Sequence, residues 1–193
     1  MLSQVLNATF RILFLRAGPQ DFPYAQGLTP ICIAAAGGTN ALMLGQVLPM
    51  PMAIAMALAM IGAMALVARS VLRARDLLNR FQQTLNALLA TTAVLTLALL
   101  PVFIQMAPIV MQIAKNPEML ANPDAVRVPV FGVFWMNLLN FWNFAVTAHI
   151  FRHAANVNLW VGFLIALVAS SIALFLGVLG GAIGGAVFGV PAP

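Results

Sequence analysis

Charged side chains are scarce in this chain of 193 residues, and acidic side chains are rarer than basic ones. Asp and Glu number 4, Lys and Arg number 9, and together they make up 7% of the sequence. Since about a quarter of the residues in a soluble domain are charged, this chain cannot cover a water-exposed surface. The scarcity excludes a sizeable soluble domain and indicates a polytopic helical membrane protein.

Other absences narrow the function. The single cysteine, Cys32, excludes an intrachain disulfide framework. The apolar stretches carry no charged residue at mid-depth, which argues against an ion-coupled carrier but leaves a passive one open. No Gly-rich phosphate-binding loop and no Ser-His-Asp arrangement is expected, since the two histidines and four acids lie near the predicted membrane faces. We therefore expect a protein that is not an enzyme and has no cofactor.

Hydrophobic residues, by contrast, make up 63% of the chain. They fall into five stretches, which predict an all-α bundle of five transmembrane helices within residues 28–193. The predicted spans are residues 28–48, 51–70, 85–107, 130–151 and 158–180.

Prolines mark two features of these spans. A tight turn over Leu48-Pro49-Met50-Pro51 is expected to join the first two spans into an antiparallel hairpin. Pro101 and Pro108 lie near the far end of the third apolar stretch, where they predict a kink or an early stop.

The first residues form a segment that is too short and too interrupted to cross a bilayer. Residues 2–16 place polar side chains on one helical stripe at intervals of four, and apolar side chains cover the rest. This pattern is typical of an amphipathic helix that lies in the membrane interface. We predict such a helix within residues 1–17, followed by a cytosolic Gly-Pro linker over residues 18–27.

The arginines are distributed unevenly between the two sides of a five-span arrangement. Seven of them fall on one side: Arg11, Arg16, Arg69, Arg73, Arg75, Arg80 and Arg152. The other side carries Lys115 and Arg127, which Glu118 and Asp124 balance. Because cytoplasmic connections carry an excess of Lys and Arg, we predict a cytosolic N-terminus and an external C-terminus.

The linker combines a Gly-Pro pair, a carboxylate and a further proline. Its residues Gly18, Pro19, Asp21 and Pro23 and the preceding Arg16, together with the five-span layout, resemble the Yip family of Ypt/Rab-interacting membrane proteins, and more closely its bacterial branch. That family has a longer acidic-aliphatic lead before the Gly-Pro pair, where this chain has Arg-Ala. The resemblance implies a non-enzymatic protein that associates with other membrane components, here in a bacterial inner membrane.

Small residues recur in the last apolar stretch. Gly177, Gly181, Gly185 and Gly189 repeat every four residues, a spacing that lets helix backbones approach closely. The partner of this face is another span, a second copy of the chain or a different membrane protein. The apolar run over residues 159–190 is longer than one span needs, so it is expected to tilt steeply or to break.

The fourth predicted span contains several polar side chains. Asn137, Asn140, Asn143 and Thr147 follow one another at steps of three, three and four, which predicts one polar helical face. In lipid, each amide hydrogen bond between helices is worth roughly 0.6–2 kcal/mol. The face is interpreted either as a contact between helices or as a groove for a lipid headgroup or a small solute.

Two patterns contain metal-ligating side chains. His149 and His153 are one turn apart at the cytosolic end of the fourth span, where Cys32 and Asp21 are also expected. They are interpreted as residues near lipid phosphates, with Asp21 paired to an arginine, or as a zinc or copper site. A second pattern consists of Met52, Met56, Met60 and Met64. It is interpreted as a Cu(I) site or as methionine side chains that fill space between helices.

The connection between the second and third spans carries Arg69, Arg73, Arg75 and Arg80, which are expected to face anionic lipid headgroups or a cytosolic partner. The leading hypothesis is a non-catalytic membrane scaffold or adaptor of Yip type, which binds a membrane-protein partner or forms a homo-oligomer. The alternative is a small carrier or a copper-handling membrane protein. Nucleic acid is not expected as a partner, because the arginines lie where topology needs them.

Overall fold

The computed structural model of the protein describes residues 2–25, 27–116 and 129–189 and is all-α. Residue 26 of the predicted linker and residues 117–128, which include Arg127, lie outside this part. The helices of the described part are α1 (Leu2–Leu13), α2 (Leu28–Leu44), α3 (Met50–Ala74), α4 (Phe81–Lys115), α5 (Val130–Ala154) and α6 (Leu159–Val187). One-turn 3-10 helices lie at Pro19–Asp21 and Leu78–Arg80.

Four helices of the described part are long and apolar enough to cross a membrane: α3, α4 with its preceding 3-10 turn, α5 and α6. These helices indicate a multi-pass integral membrane protein. Helix α2 is apolar but has 17 residues. At 1.5 Å per residue its length is about 26 Å, slightly less than the roughly 30 Å of a bilayer's hydrocarbon core.

Local sequence explains where several helices begin. The side-chain oxygen of Asn158 accepts the backbone N–H of Val161 at 2.9 Å and caps the start of α6. Gly27, directly before α2, has a φ of 83°, which glycine adopts without strain. Pro51 lies in the first turn of α3, where the missing N–H leaves no hydrogen bond unmade.

Three helices end with the same type of C-terminal turn. Leu15, Asp76 and Asn156 follow α1, α3 and α5 with φ values of 58°, 55° and 52°. In each case the next N–H reaches back to the carbonyl five residues earlier, at 2.8 Å after α1, 2.8 Å after α3 and 3.1 Å after α5. This Schellman-type ending satisfies carbonyls that the helix leaves without a partner.

Helix α4 is longer than predicted. It continues through Pro101 and Pro108 to Lys115, so the expected early stop near residue 107 is wrong. Both prolines are exposed positions, and long membrane helices tolerate proline where neighbouring groups satisfy the freed backbone. The 35 residues of α4 measure about 52 Å, which exceeds the thickness of the hydrocarbon core.

Two further boundaries differ from expectation. The connection between α2 and α3 occupies residues 45–49, since Met50 and Pro51 already belong to the first turn of α3. Helix α6 runs unbroken to Val187, so the apolar run over residues 159–190 does not divide into a span and a separate segment within the described part.

Helices α2 to α6 form a closed ring. Helix α2 packs against α3 and α4, α4 packs against α5, α5 against α6, and α6 returns to α3. Helix α1 lies outside this ring against α4 and α5. The main apolar cluster fills the ring at the end where α1 docks and includes Ile12, Phe22, Leu88 and Phe151, each at most 1% exposed.

Candidate functional site

One end of the bundle, here called the basic end, brings together the N-terminal residues, the α3–α4 connection and the α5–α6 connection. Arg75 Nε donates to the carbonyl of Ala155 at 3.3 Å, and Arg80 Nη1 donates to the side-chain oxygen of Asn156 at 3.1 Å. Arg75 and Arg80 of the predicted one-sided set therefore lie beside the α5–α6 connection, and the bond from Gln83 Nε2 to the carbonyl of Phe22 brings the N-terminal residues to the same end.

The connection between α1 and α2, here called the Gly-Pro segment (residues 14–25), is held on the bundle by long-range hydrogen bonds. Side chains of α4 and α5 donate to carbonyls in or beside it: Trp142 Nε1 to Leu13 at 3.1 Å, His149 Nε2 to Ala17 at 3.0 Å and Gln83 Nε2 to Phe22 at 2.9 Å. The aromatic ring of Phe22 is 1% exposed. These contacts give the segment a fixed position on the bundle.

The residues that resemble the Yip motif have different surroundings. Gly18 and Pro19 are buried, Pro23 is half-buried, and Arg16 is exposed. The carboxylate of Asp21 accepts the N–H of Gly18 at 2.9 Å and closes the 3-10 turn between them. Asp21 thus stabilises the local turn. From the sequence, it was expected to pair with an arginine.

The four arginines of the α3–α4 region divide into two pairs. Besides Asn156, Arg80 Nη1 lies 3.4 Å from the carbonyl oxygen of Ala154. Arg75 and Arg80 therefore meet carbonyls at the C-terminus of α5, where partial negative charge favours a cation. Arg69 and Arg73 are exposed on the last turns of α3. The sequence pattern did not distinguish the two pairs.

A shallow cavity lies between α1 and the Gly-Pro segment at the basic end. Its volume is about 340 Å³, and its lining includes Gln4, Asn7, Arg11, Asp21 and Pro23. Side chains of both charge signs face this groove, so it suits a polar ligand or a polar side chain of a partner.

The histidines and the cysteine do not form a metal site within the described residues, where no group of three metal-ligating side chains is found. The rings of His149 and His153 lie 4.4 Å apart between centroids, but His149 Nε2 is bonded to the carbonyl of Ala17. Cys32 is buried in the main apolar cluster.

The glycine series packs against α3. A Cβ atom at Gly177 would lie 2.7 Å from Met60 Cγ, and one at Gly185 would lie 3.3 Å from Met52 Cε. Methionines of the predicted stripe thus fill space beside the glycines of α6. Gly189 differs, because it lies beyond the end of α6 with a φ of 63° and has no neighbour within 4 Å of an added Cβ.

The closest approach of α3 and α6 involves neighbouring glycines. A Cβ atom at Gly180 would lie 2.5 Å from the Cβ of Ala59, and one at Gly184 would lie 2.5 Å from the Cβ of Ala55. Real Cβ atoms do not approach so closely, so both positions require glycine at this separation of the helices. Two small residues four apart on each helix form this contact, here called the small-residue seam.

A second cavity, here called the central cavity, lies inside the ring of helices. Its volume is about 410 Å³, and all five helices from α2 to α6 contribute to its wall. Apolar side chains, chiefly leucine and methionine, form most of the lining. The polar side chains of the wall are Asn40, Thr92, Thr96, Asn140, Asn143, Thr147 and Ser170.

Three of the four polar residues predicted on α5 line this cavity: Asn140, Asn143 and Thr147. Asn137 departs from this face and is exposed, with its Nδ2 donating to the carbonyl of Val133 at 2.8 Å. At about 100° per residue, two steps of three residues turn the helix by about 120° between Asn137 and Asn143. Asn137 therefore lies on a different face of α5 from Asn143.

The polar residues that the other helices contribute to the central cavity were not predicted from the sequence. Asn40 of α2 is 8% exposed, as is Thr96 of α4, and Ser170 lies on α6. An amide inside an otherwise apolar span was a usable signal, because such a group needs a partner in lipid. The spacing of residues within one helix does not show which other helices line the same cavity.

The fold and these surfaces define an α-helical membrane protein with a basic end and a central cavity. Comparison of the chain with protein-family models, with curated proteins and with solved structures finds no match.

Proposed function

We propose that the chain crosses a bacterial inner membrane five times, with α2 to α6 as spans, the basic end in the cytosol and the C-terminus outside. The crossing by α2 is supported by hydrogen-bonded turns that continue beyond its end, such as the bond from Leu48 N–H to the carbonyl of Leu44 at 2.9 Å. A span a few ångströms short of the hydrocarbon thickness is accommodated at modest cost. The excess of arginine at one end supports the orientation.

We propose that α1 is an interfacial helix. Its buried face packs against the bundle through Ala8, Thr9, Ile12 and Leu13. A separate ridge of apolar side chains faces away from the protein, with exposed fractions between 45% and 72%: Leu2, Leu6, Phe10 and Phe14. Polar residues, including Arg11, lie beside this ridge. Such a helix buries its apolar ridge among lipid chains while its polar side chains meet headgroups.

We propose that the protein is a non-catalytic membrane scaffold or adaptor of Yip type, with the basic end as its docking surface. The observation that carries this proposal is the fixed Gly-Pro segment, because three long-range hydrogen bonds hold it on α4 and α5 at the same end of the bundle as the arginines of α3 and α5. Arg16, Arg69, Arg73 and Arg152 are exposed at this end, which the fixed segment preorganises. Preorganisation lowers the entropic cost of binding a partner.

The chemistry of this surface indicates an acidic partner. Arginine binds carboxylates and phosphates through a planar fork of donors, and the same side chains attract anionic headgroups. The acids near this surface are Asp21 and Asp76, and the whole chain has 4 acidic residues. A second copy of the chain therefore offers little charge complementarity here, which favours a different protein with an acidic cytosolic surface.

The experiment is purification of the full chain from its native membrane in a gentle detergent, with co-purified proteins quantified by mass spectrometry. We expect a stoichiometric protein partner with the natural sequence. We expect the variant Arg69→Gln/Arg73→Gln to lose about tenfold or more of it, since removal of two charge-assisted contacts costs about 2 kcal/mol or more. The double variant leaves Arg75 and Arg80 unchanged, so charges that determine the topology remain at this end.

The matched control is Lys115→Gln, which removes an exposed cation at the end of α4 away from the basic end. It should retain the partner at the natural ratio. The adaptor proposal fails if no stoichiometric protein accompanies the natural sequence, or if the double variant and the control lose the partner equally.

A further inference from the structure

The central cavity has the composition of a ligand site. Its volume of about 410 Å³ lies within the roughly 300–1,000 Å³ of small-molecule pockets, which are mostly apolar with a few polar groups. Among the lining residues that the structure describes, none carries a charge. A charged ligand would lose its hydration there without a counter-charge. The occupant must therefore be uncharged and largely apolar.

The polar groups of the wall favour a ligand that donates hydrogen bonds. The Nδ2 atoms of Asn40 and Asn140 donate to the carbonyls one turn back, Ala36 at 2.8 Å and Met136 at 2.7 Å. Their donor capacity is partly used within the helix, and their carbonyl oxygens remain as acceptors. The Oδ1 atom of Asn143 also has no hydrogen-bond partner, but protein atoms enclose it, so a ligand in the cavity does not reach it. The acceptors left for a ligand are therefore the side-chain oxygens of Asn40 and Asn140.

Residues of α5 and α6 that line the cavity differ in how tightly they are enclosed. Near the basic end these helices are in tight contact, since a Cβ atom at Gly162 would lie 2.7 Å from the carbonyl oxygen of Ala148. Farther along, Asn140 and Leu174 line the cavity and are also exposed. Both lie roughly 21–23 Å along their helices from the basic end, which is within the thickness of the hydrocarbon core. The exposed parts of Asn140 and Leu174 therefore lie at the depth of the lipid chains.

We infer that the central cavity binds an uncharged lipid that carries a hydroxyl group, and that this lipid reaches it sideways from the bilayer between α5 and α6. The hydroxyl donates to the asparagine oxygens, and the acyl chain lies against the leucine and methionine side chains. Diacylglycerols and long-chain alcohols have this chemistry. The site is separate from the basic end and does not depend on a protein partner.

The first test varies the ligand and leaves the protein unchanged. Purified full-length protein in nanodiscs is titrated with dioctanoylglycerol, with its methyl ether, which lacks the donor, and with dioctanoyl phosphatidate, which is charged. We expect saturable binding of dioctanoylglycerol, about tenfold weaker binding of the ether, and no saturable binding of the phosphatidate. Equal binding of dioctanoylglycerol and its ether, or tighter binding of the phosphatidate, overturns the inference.

The second test varies the wall. Asn140→Leu removes an acceptor at a position that lines the cavity, while Asn137→Leu makes the same change about one turn away at a position that does not line it. We expect the affinity for dioctanoylglycerol to fall about tenfold in the first variant and to stay unchanged in the second. Equal affinities in the two variants contradict the assignment of Asn140. The ligand comparison decides the inference even if Asn140→Leu proves unstable.

Discussion

Single side chains of α4 and α5 determine where the N-terminal residues lie. Trp142 is partly buried in the bundle, yet its indole N–H donates to the carbonyl of Leu13 at the end of α1. Carbonyls in the last turn of a helix have no partner within that helix. The indole therefore satisfies a group that would otherwise be left unpaired beside the 5% exposed side chain of Leu13.

The change Trp142→Phe tests this anchor because it keeps an aromatic ring and removes the donor. Loss of the bond should cost about 1–2 kcal/mol, which raises the open population of the N-terminal residues about 5- to 30-fold. The measurement is the rate of trypsin cleavage at Arg11 and Arg16 in the purified protein, since proteolysis follows the open population when reclosing is fast.

The matched control for this anchor is Trp160→Phe, because Trp160 lies at the start of α6 and is 78% exposed. It should cleave at the natural rate. If Trp142→Phe also cleaves at that rate, the indole bond does not hold α1 in place.

At the scale of helices, the small-residue seam fixes the distance between α3 and α6. Gly184 faces Ala55 and Gly180 faces Ala59, so each helix presents small residues four apart to the other. Close backbone approach replaces the hydrophobic driving force that is absent between helices in lipid. A single added methyl group must therefore push the helices apart.

The change Gly184→Ala should destabilise the bundle by about 1–3 kcal/mol through overpacking against Ala55. The double variant Ala55→Gly/Gly184→Ala moves the methyl group from one helix to the other. It should recover most of the loss, with a coupling free energy of about 1 kcal/mol or more. The measurement is the unfolding midpoint in mixed detergent and denaturant micelles for both single variants and the double variant.

Gly62→Ala is the control for the seam, because it lies in α3 with no heavy atom within 4 Å of an added Cβ. It should be neutral or stabilising by up to about 1 kcal/mol, the usual gain when alanine replaces a helical glycine. A Gly184→Ala variant as stable as the Gly62→Ala variant would contradict the seam, as would a double variant no more stable than Gly184→Ala.

The helices themselves were largely predictable from the sequence, because an apolar stretch of span length has few alternatives in lipid. The wrong or incomplete predictions concern features that the length and apolarity of a stretch do not determine. The prolines of α4 did not end the helix, since proline is a local signal and α4 also packs against α2 and α5. The four-residue glycine spacing identified α6 as a packing helix, but a repeat in one helix does not specify its partner.

The candidate sites were less predictable because they depend on contacts between distant parts of the chain. Nothing in the spacing of Arg69, Arg73, Arg75 and Arg80 shows that the last two bind the end of α5. The Asn-rich pattern of α5 found one wall of the central cavity. Its other polar residues come from helices whose order around the ring cannot be read from periodicity.

At the scale of the whole molecule, the crossing of α2 decides the topology. With five spans, the Gly-Pro segment and the α3–α4 connection share one side of the membrane, and the α2–α3 connection lies on the other. With four spans, α2 would not cross, and the Gly-Pro segment would share a side with the α2–α3 connection. The bond from Gln83 at the start of α4 to the carbonyl of Phe22 supports the first arrangement.

Single cysteines in a Cys32→Ala background distinguish these two topologies. We expect an impermeant maleimide to label Gln46→Cys and Asn116→Cys in intact spheroplasts, and Gln20→Cys and Asn79→Cys only after lysis, because the basic end faces the cytosol. Labelling of Gln20→Cys together with Gln46→Cys would mean that α2 does not cross. A fully reversed pattern would keep the five spans and overturn the orientation, since positions 20 and 79 would still differ from 46 and 116.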